Sequence, residues 1–313
     1  MHHVKTSNDA GEARRGLVQY AQYLIVAAIG AYLRALPWQF ARWRLTSLSV
    51  RFAPVLKAMQ PSGVVTLPSG LSMHNSGGSQ TTRMLFATGE YEPATAALLS
   101  RLLRPGDTLI DVGANLGFFS LIGSKAVGPG GKVIAFEPAA DVREQLRRNL
   151  ALNACSNVVV RDEALSEESS KALLYLGDGD SGLSSLRPLP GAETTTVTQA
   201  RFDDISEGWG RANVVKIDVE GAELGVLKGM VRTLREQAPD LVVEVTDEYL
   251  KPLGGSSVAL QSFLQQLGYS MFWISDDGGL VGMDAPHTLA SAPNQFNALF
   301  TRRSSISNLL PPR

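Results

Sequence analysis

The chain carries one cysteine, Cys155, among 313 residues. A lone thiol excludes an internal disulfide framework and any zinc site built on clustered cysteines, and it fits a reducing compartment. Histidine is nearly as scarce. The four are His2, His3, His74 and His287, and none lies in a recognised motif. His287 precedes the last apolar run and is retained as a weak candidate base, since such a histidine is more often merely exposed. Charge of one sign is lacking as well. A net charge of −1 gives no general pull toward nucleic acid. The candidate run, residues 16–33, is slightly short for a membrane span, which needs about 20 predominantly apolar residues. Residues 16–33 hold no formal charge, but Gln19, Gln22 and three tyrosines dilute them.

Hydrophobic residues make up 44% of the chain, enough for a sizeable core and too many for a disordered chain. The charge is unevenly spread. Residues 1–57 hold eight Lys/Arg and two Asp/Glu and sum to +6, so the remainder sums to −7. This suggests a basic appendage on an acidic body. Three readings of it stand open: a helical appendage packed on the catalytic domain or on a twin subunit, an in-plane helix at a membrane surface, or a true span or cleaved signal. Arg34, Trp38, Arg42, Trp43, Arg44 and Arg51 suit the second, because basic residues interleaved with Trp favour a membrane interface. "ARRGLVQY" is only weakly like a twin-arginine signal.

Beyond residue 60 the sequence alternates. "VVTLPSGLSMHN" predicts two short strands around a Pro-Ser-Gly turn, and "YEPATAALLSRLLRPGD" a helix stopped at Pro105-Gly106. Then come "TLIDV" as a buried strand, "LGFFSLIGSKAV" as a helix, "GKVIAFEP" as a strand, "ADVREQLRRNLALN" as a helix and "NVVVRDEAL" as a strand. Residues 171–199 interrupt with two added antiparallel strands around a Gly/Ser/Asp-rich loop, residues 177–186, expected as a lid or a hairpin tip. The alternation resumes with "NVVKIDV", the helix "GAELGVLKGMVRTLREQ", "DLVVEV", the helix "SVALQSFLQQLG", "SMFWI" and a last strand, "QFNALF". Such alternation implies an α/β fold with a mostly parallel sheet and helices on both faces.

In these sheets ligands sit beyond the carboxyl ends of the strands, at the topological switch point. "TLIDVGANLGFFSL" places Asp111, Gly113, Asn115 and Gly117 there. Glycine permits positive φ and close approach, and Asn tolerates the left-handed region. A dinucleotide fingerprint would need glycines where Asn115 and Phe118 stand, and a P-loop would need Gly-Lys-Ser/Thr, so the turn does not suit a diphosphate. Asp111 would repel phosphate and attract an ammonium. Glu137, at the tip of the next strand, is placed to accept hydrogen bonds from both ribose hydroxyls. A nucleoside with an ammonium and no phosphate matches S-adenosylmethionine.

With "YEP", "PGDTLIDVGANLGFFSL", "GPGGKVIAFEP", "EALS", "SGLSSL", "VVKIDVEGAELGVLKGM" and "FNALF" in that order, the chain resembles the FkbM family of S-adenosylmethionine-dependent methyltransferases over roughly residues 85–300. The resemblance implies a seven-stranded Rossmann-like methyltransferase sheet and O-methylation of a sugar, glycan or secondary-metabolite alcohol. It also implies that Asp111, Gly113, Asn115 and Gly117 contact the methionine part of the cofactor. Glu137 would contact the ribose, Glu163-Ala164 the adenine edge, and Tyr91 and Glu92 would approach the methionine end. One departure is "EVTDEYL", where relatives often have Glu-Ile-His.

The stretch "KIDVEGAE" adds Asp218, Glu220 and Glu223, and Glu244 comes from the neighbouring strand. Asp218, beside the cofactor's methyl in this fold, is expected both to bind cofactor and, with Glu220 and Glu244, to form the catalytic set. Asp218 or Glu220 would orient the acceptor hydroxyl and take its proton, a role contributing about 10²–10⁴-fold. The structural alternative is that Asp218 caps a helix whose positive end Glu220 and Glu223 favour at i, i+3 spacing. A divalent metal held by these carboxylates is a third reading. Nucleic-acid methylation is disfavoured: no Asp/Asn-Pro-Pro-aromatic follows the fourth strand, and Cys155 follows Ala154 rather than proline.

The expected organisation is a basic helical appendage at 1–60, a methyltransferase domain at 61–303 and a polar tail at 304–313. The expected location is cytoplasmic, at the inner face of a membrane. The expected partners are a small-molecule or glycan acceptor, a membrane surface met through residues 16–57, and a second copy of the chain. The competing class is a non-catalytic membrane-associated scaffold that keeps a cofactor pocket.

Overall fold

The structure is a computed structural model that describes residues 63–75, 85, 89–177, 184–283, 289 and 292–310. The basic segment 1–60, His287 and residues 178–183 of the polar loop fall outside the described residues. The chain divides into two compact units, Met1–Tyr91 and Glu92–Arg313. Among the described residues no helix is long and apolar enough to cross a membrane.

In the first unit, β1 (Gly63–Thr66) and β2 (Ser72–Asn75) pair antiparallel, Val64 opposite His74. Pro68, Ser69 and Gly70 make the turn, closed by Leu67 N–H donating to the Leu71 carbonyl at 2.7 Å. Proline and glycine at adjacent turn positions dictate this reversal.

The second unit is built on a twisted, mostly parallel sheet. Helix α1 (Pro93–Leu102) precedes β3 (Thr108–Val112), α2 (Phe118–Val127), β4 (Lys132–Phe136), α3 (Ala140–Leu152) and β5 (Val158–Arg161). After an excursion the chain returns as β9 (Val214–Ile217), two short helices, β10 (Asp240–Thr246), α7 (Asp247–Leu250), α8 (Ser257–Gln266), β11 (Ser270–Ile274), β12 (Leu280–Gly282) and β13 (Gln295–Thr301). The order across the sheet is β12-β11-β13-β10-β9-β3-β4-β5. β5, β4, β3, β9 and β10 run parallel, while β13 is antiparallel between β10 and β11. The chain starts at β3, moves outward through β4 to β5, then restarts on β3's other side at β9. The switch point therefore lies between β3 and β9, the crevice where a ligand is expected.

Period-two alternation separates the two faces. Ile110, Val112, Ile134, Phe136, Val215, Ile217, Leu241 and Val243 join one buried cluster with Val226, Leu227, Leu260 and Leu264. Leu109 and Val133 face α2, whose Gly123 comes so close that a Cβ would sit 2.3 Å from Leu109 Cδ2.

The strand count is eight, where seven were expected. The extra strand is β12, three residues folded back on β11 by a Ser275–Gly279 turn. It is too short and too exposed to leave a period-two signal. "NVVVRDEAL" is also more than one strand. It breaks at Asp162-Glu163, and β6 (Ala164–Leu165) joins a separate three-stranded sheet with β8 (Thr194–Ala200) and β7 (Lys171–Tyr175). β7 and β8 are the antiparallel pair expected from residues 171–199.

The single helix expected after "NVVKIDV" is two, α5 (Glu223–Lys228) and α6 (Val231–Glu236), broken at Gly229-Met230. The break has a cause in α4 (Phe202–Ile205). The Gly229 carbonyl accepts the Asp203 N–H at 3.1 Å. The Asp203 carboxylate accepts from the backbone N–H groups of Arg232 and Thr233 and from Thr233 Oγ1, at 2.7, 3.1 and 2.7 Å. It thus caps a new helix start from outside it.

Candidate active site

The glycine turn fills the crevice at the carboxyl end of β3. Gly113, Asn115 and Gly117 all adopt positive φ, at 79°, 48° and 90°. A Cβ on Gly113 would lie 1.8 Å from the Asp218 carbonyl oxygen, and one on Gly117 would lie 2.4 Å from Leu146 Cδ1. The close approaches that require glycine are therefore made to the chain itself. The N–H groups of Gly113 and Ala114 donate to the Phe136 carbonyl, Gly117 N–H to the Ala114 carbonyl, and Asn115 N–H to Glu137 Oε2. These donors are spent within the protein, so they form no cradle for an anion of the kind a P-loop provides. What the turn leaves unmatched are acceptors. Asp111 Oδ1 and Asn115 Oδ1 are buried without a hydrogen-bond partner among the described residues. An acceptor-rich turn suits an ammonium and not a diphosphate.

Asp111 is fully buried within β3, and its Oδ2 accepts from Ser120 Oγ at 2.6 Å. Burial pushes its carboxyl pKa up, while Lys216 and Ser120 oppose the shift. Glu137 follows β4 and bridges two elements: Oε2 accepts the Asn115 N–H and Oε1 the Ala139 N–H, each at 2.9 Å. Burial raises its pKa to about 7, against those two bonds and the Arg143 guanidinium. Each carboxylate oxygen keeps a second lone-pair site, enough for one further donor apiece.

Glu163 lies at the break between β5 and β6, where Arg161 grips its carboxylate with Nε at 3.0 Å and with a second, shorter contact from Nη2. Arg161 also stacks 5.5 Å from the Trp209 ring centroid, and Trp209 packs on Phe136 and Phe202 at 5.7 and 5.8 Å. Ala164 is buried as the first residue of β6. Glu92 occupies the N-cap of α1 at φ 43°, and its Oε2 accepts from Asn297 Nδ2 at 2.8 Å. Tyr91 ends the other compact unit.

The acidic stretch after β9 is not a helical face. Helix α5 starts at Glu223, so Glu220 lies in the turn before it, at φ 54°. Glu223 is consumed by that turn. Its Oε1 accepts the Val219 and Gly221 N–H groups, both at 3.1 Å, and burial lifts its pKa to about 7. Asp218 does not cap the helix: the N-cap position is Ala222, and Asp218 Oδ2 pairs with Lys216 Nζ at 3.0 Å. Ligand oxygens of Asp218, Glu220 and Glu244 lie within 4.8 Å of one another. Glu244 is buried in β10 and bonded through Oε1 to Gln295 Nε2 at 2.7 Å. Burial, then the charges of Asp218 and Glu220, push its pKa well above the ordinary carboxylate value.

Several residues here carry no motif of their own. Lys216 is the centre of the arrangement: buried, beside Asp111 in the β3–β9 register, ion-paired to Asp218 and 4.5 Å from the Phe119 ring centroid. Burial disfavours its ammonium, but Asp218, Asp111 and Glu92 outweigh that and raise its pKa. Gln295 and Asn297, two apart on β13, each give an amide to one carboxylate. Ser185, at the end of the polar loop, donates from Oγ to the Glu220 carbonyl at 2.8 Å. The only available signal was the lysine itself, since an apolar strand rarely carries an unpaired one.

The sequence model of the Methyltransferase FkbM domain matches residues 111–271, from the carboxylate of β3 through the acidic turn to β11. The chain belongs to the FkbM methyltransferase family. This FkbM-family enzyme is 31% identical over 229 residues to Methyltransferase sdnD of Sordaria araneosa, covering 62% of this chain and 81% of that one. It is 32% identical over 131 residues to the hexuronic acid methyltransferase AglP of Haloferax volcanii, covering 41% of this chain and 52% of that one. A crystal structure of Methyltransferase FkbM from Methylobacillus flagellatus aligns at a TM-score of 0.41 and 17% identity, over 82% of this chain and 60% of that chain. The FkbM-family chain is an S-adenosylmethionine-dependent methyltransferase, and the scaffold alternative finds no support.

Proposed function

We propose that this FkbM-family enzyme transfers the methyl group of S-adenosylmethionine to a hydroxyl of a sugar, glycan or secondary-metabolite alcohol. The observation that carries the reading is the convergence of Asp218, Glu220 and Glu244 within 4.8 Å, directly beside the glycine turn. The relative named for hexuronic acid methylation favours a sugar acceptor.

In this reading Asp111, Gly113, Asn115 and Gly117 surround the methionine part, Glu137 takes the ribose hydroxyls, and Glu163-Ala164 border the adenine. Tyr91 and Glu92 approach the methionine end. The bound cofactor supplies an electrophilic, cationic methyl group. Asp218, ion-paired to Lys216, faces that positive charge. Glu244, whose pKa is raised by burial and by the charges of Asp218 and Glu220, accepts the hydroxyl proton, and Gln295 leaves its second oxygen for that contact. Glu220 orients the acceptor. The same three oxygens have the spacing of a divalent-cation site, and abolition of activity by a chelator, restored by magnesium, would favour that second reading.

The deciding experiment is calorimetric titration with S-adenosylmethionine and its demethylated product. Wild type is expected to bind both, and Glu137→Ala to bind at least tenfold more weakly, about 1.4 kcal/mol. Wild-type affinity in the variant would remove Glu137 from the cofactor site. The basic segment 1–57 is proposed to bring the enzyme to an anionic membrane at the cytoplasmic side. Sedimentation with anionic liposomes tests this, and equal binding by a chain lacking residues 1–57 would refute it.

A further inference from the structure

A second concavity lies at the opposite end of the sheet, where β3, β9 and β10 begin. It is a cavity of about 320 Å³ lined by Arg104, Asp107, Arg211, Asn213, Asp240, Arg302 and Arg303, among others. That volume is within the range of small-molecule sites, at its lower end. Nothing in the methyl-transfer chemistry uses it.

The two carboxylates are already engaged by the protein. Asp240 accepts from Thr301 Oγ1 at 2.5 Å and from Arg303 Nε and Nη2 at 2.8 and 2.6 Å, a two-pronged pair that neutralises both groups. Asp107 Oδ2 accepts the Arg104 backbone N–H at 2.8 Å. The cations are not matched in the same way. Arg104, Arg211 and Arg302 form no ion pair among the described residues. Arg211 gives one N–H to the Gln237 carbonyl, and Arg302 one, at 3.4 Å, to the Arg235 carbonyl. Each guanidinium has five N–H donors, so most remain. Asn213 uses its Oδ1 on the Thr108 N–H, which leaves its amide as a further donor. The cavity thus presents surplus donors and, with four arginines against two aspartates, a surplus positive charge.

We propose that this pocket is an anion site for a small ligand carrying a phosphate or diphosphate group. Planar guanidinium forks match phosphate oxygens in pairs, and three of them around one concavity can engage separate oxygens. Arg104, Arg211 and Arg302 reach the pocket from three separate segments. Such recognition selects for charge and shape more than for one compound. The site lies away from the glycine turn, so its occupant differs from the methyl donor, which carries no phosphate.

The test is calorimetric titration of the full chain with sodium pyrophosphate at about 50 mM salt, where surface electrostatics are only weakly screened. The variants are Arg104→Gln and the double Arg211→Gln/Arg302→Gln. Binding of S-adenosylmethionine serves as the control for folding, since none of the three contacts that site. Saturable sub-millimolar binding by wild type is expected, weakened at least tenfold in the double variant with the S-adenosylmethionine affinity unchanged. Absence of saturable binding by folded wild type, or equal binding by the double variant, would overturn the proposal. Sedimentation with phosphatidylglycerol vesicles separates the two sources of phosphate. Vesicle binding lost in the double variant, with free pyrophosphate not bound, would overturn the small-ligand reading in favour of a lipid headgroup. Loss of S-adenosylmethionine binding by the double variant transfers the test to Arg104→Gln, judged by the same criteria.

Discussion

Glu223 ties one carboxylate to two backbone N–H groups in the acidic turn, at the cost of burying its charge. Its folded pKa of about 7 exceeds the ordinary 4.5, so the folded chain holds the proton more tightly than the unfolded one. The stabilising contribution is therefore fully present below pH 4.5 and lost as pH rises to 7, a difference of roughly 3 kcal/mol for a shift of this size. Glu137 acts in the same direction over the same window. Replacement by glutamine, Glu223→Gln, keeps an acceptor and removes the titration. Urea unfolding from pH 5 to 8 is expected to show a shallower loss of stability in this variant than in wild type. At the carboxylate cluster, Glu244→Gln is expected to lower the methyl-transfer rate by about 10²–10⁴-fold with S-adenosylmethionine affinity within threefold of wild type. Single-turnover assays with sugar acceptors check it, and an unchanged rate would exclude Glu244 as the base. The acids were legible in the sequence because carboxylates at strand ends are conspicuous. Lys216, Gln295 and Asn297 were not, because their meaning resides in partners across strands: Lys216 beside Asp111, and the two amides on an antiparallel strand that enters from the far end of the chain.

The α5–α6 break shows what governs an element here. Hydrophobic periodicity runs through residues 223–236 without interruption, and a single helix follows from it. The break is imposed from Asp203, about thirty positions earlier, which supplies a carboxylate to the first turn of α6. Removing it in Asp203→Ala leaves buried donors without partners, a cost of about 3 kcal/mol. A guanidinium or urea midpoint measures that directly, and a loss under 1 kcal/mol would mean that the α6 start is fixed by its own sequence. Strands β3, β4 and β10 were readable as continuous apolar runs, since sheets covered on both faces demand them. β12 was not, because three half-exposed residues in a hairpin leave no pattern. β6 was missed for a different reason, as two residues beyond Arg161-Asp162-Glu163 are too few to declare a strand in another sheet.

At the scale of the molecule, the structure supplies the order β5-β4-β3-β9-β10 with an antiparallel β13 beside β10, and the mostly parallel character of the sheet was implied by the alternation of elements and by the family resemblance. The end of the chain was not. Residues expected as a polar tail include a 3₁₀ turn at Ser307–Leu309, and Leu309 is fully buried. Leu309→Ala is expected to cost about 2–4 kcal/mol without altering cofactor affinity, as read by thermal unfolding and calorimetry. The glycine turn has a bearing on evolution. Gly113 and Gly117 are demanded by the Asp218 carbonyl and by Leu146, neighbours that any correctly folded descendant retains. A duplicated copy that lost catalysis would keep Gly113 and Gly117 for architectural reasons, while Asp111 and Asn115, each with a side-chain oxygen that no protein donor meets among the described residues, would be released. The substitutions that would mark such a loss lie at Glu220 and Glu244 as well, whose side chains the fold does not need for its turns.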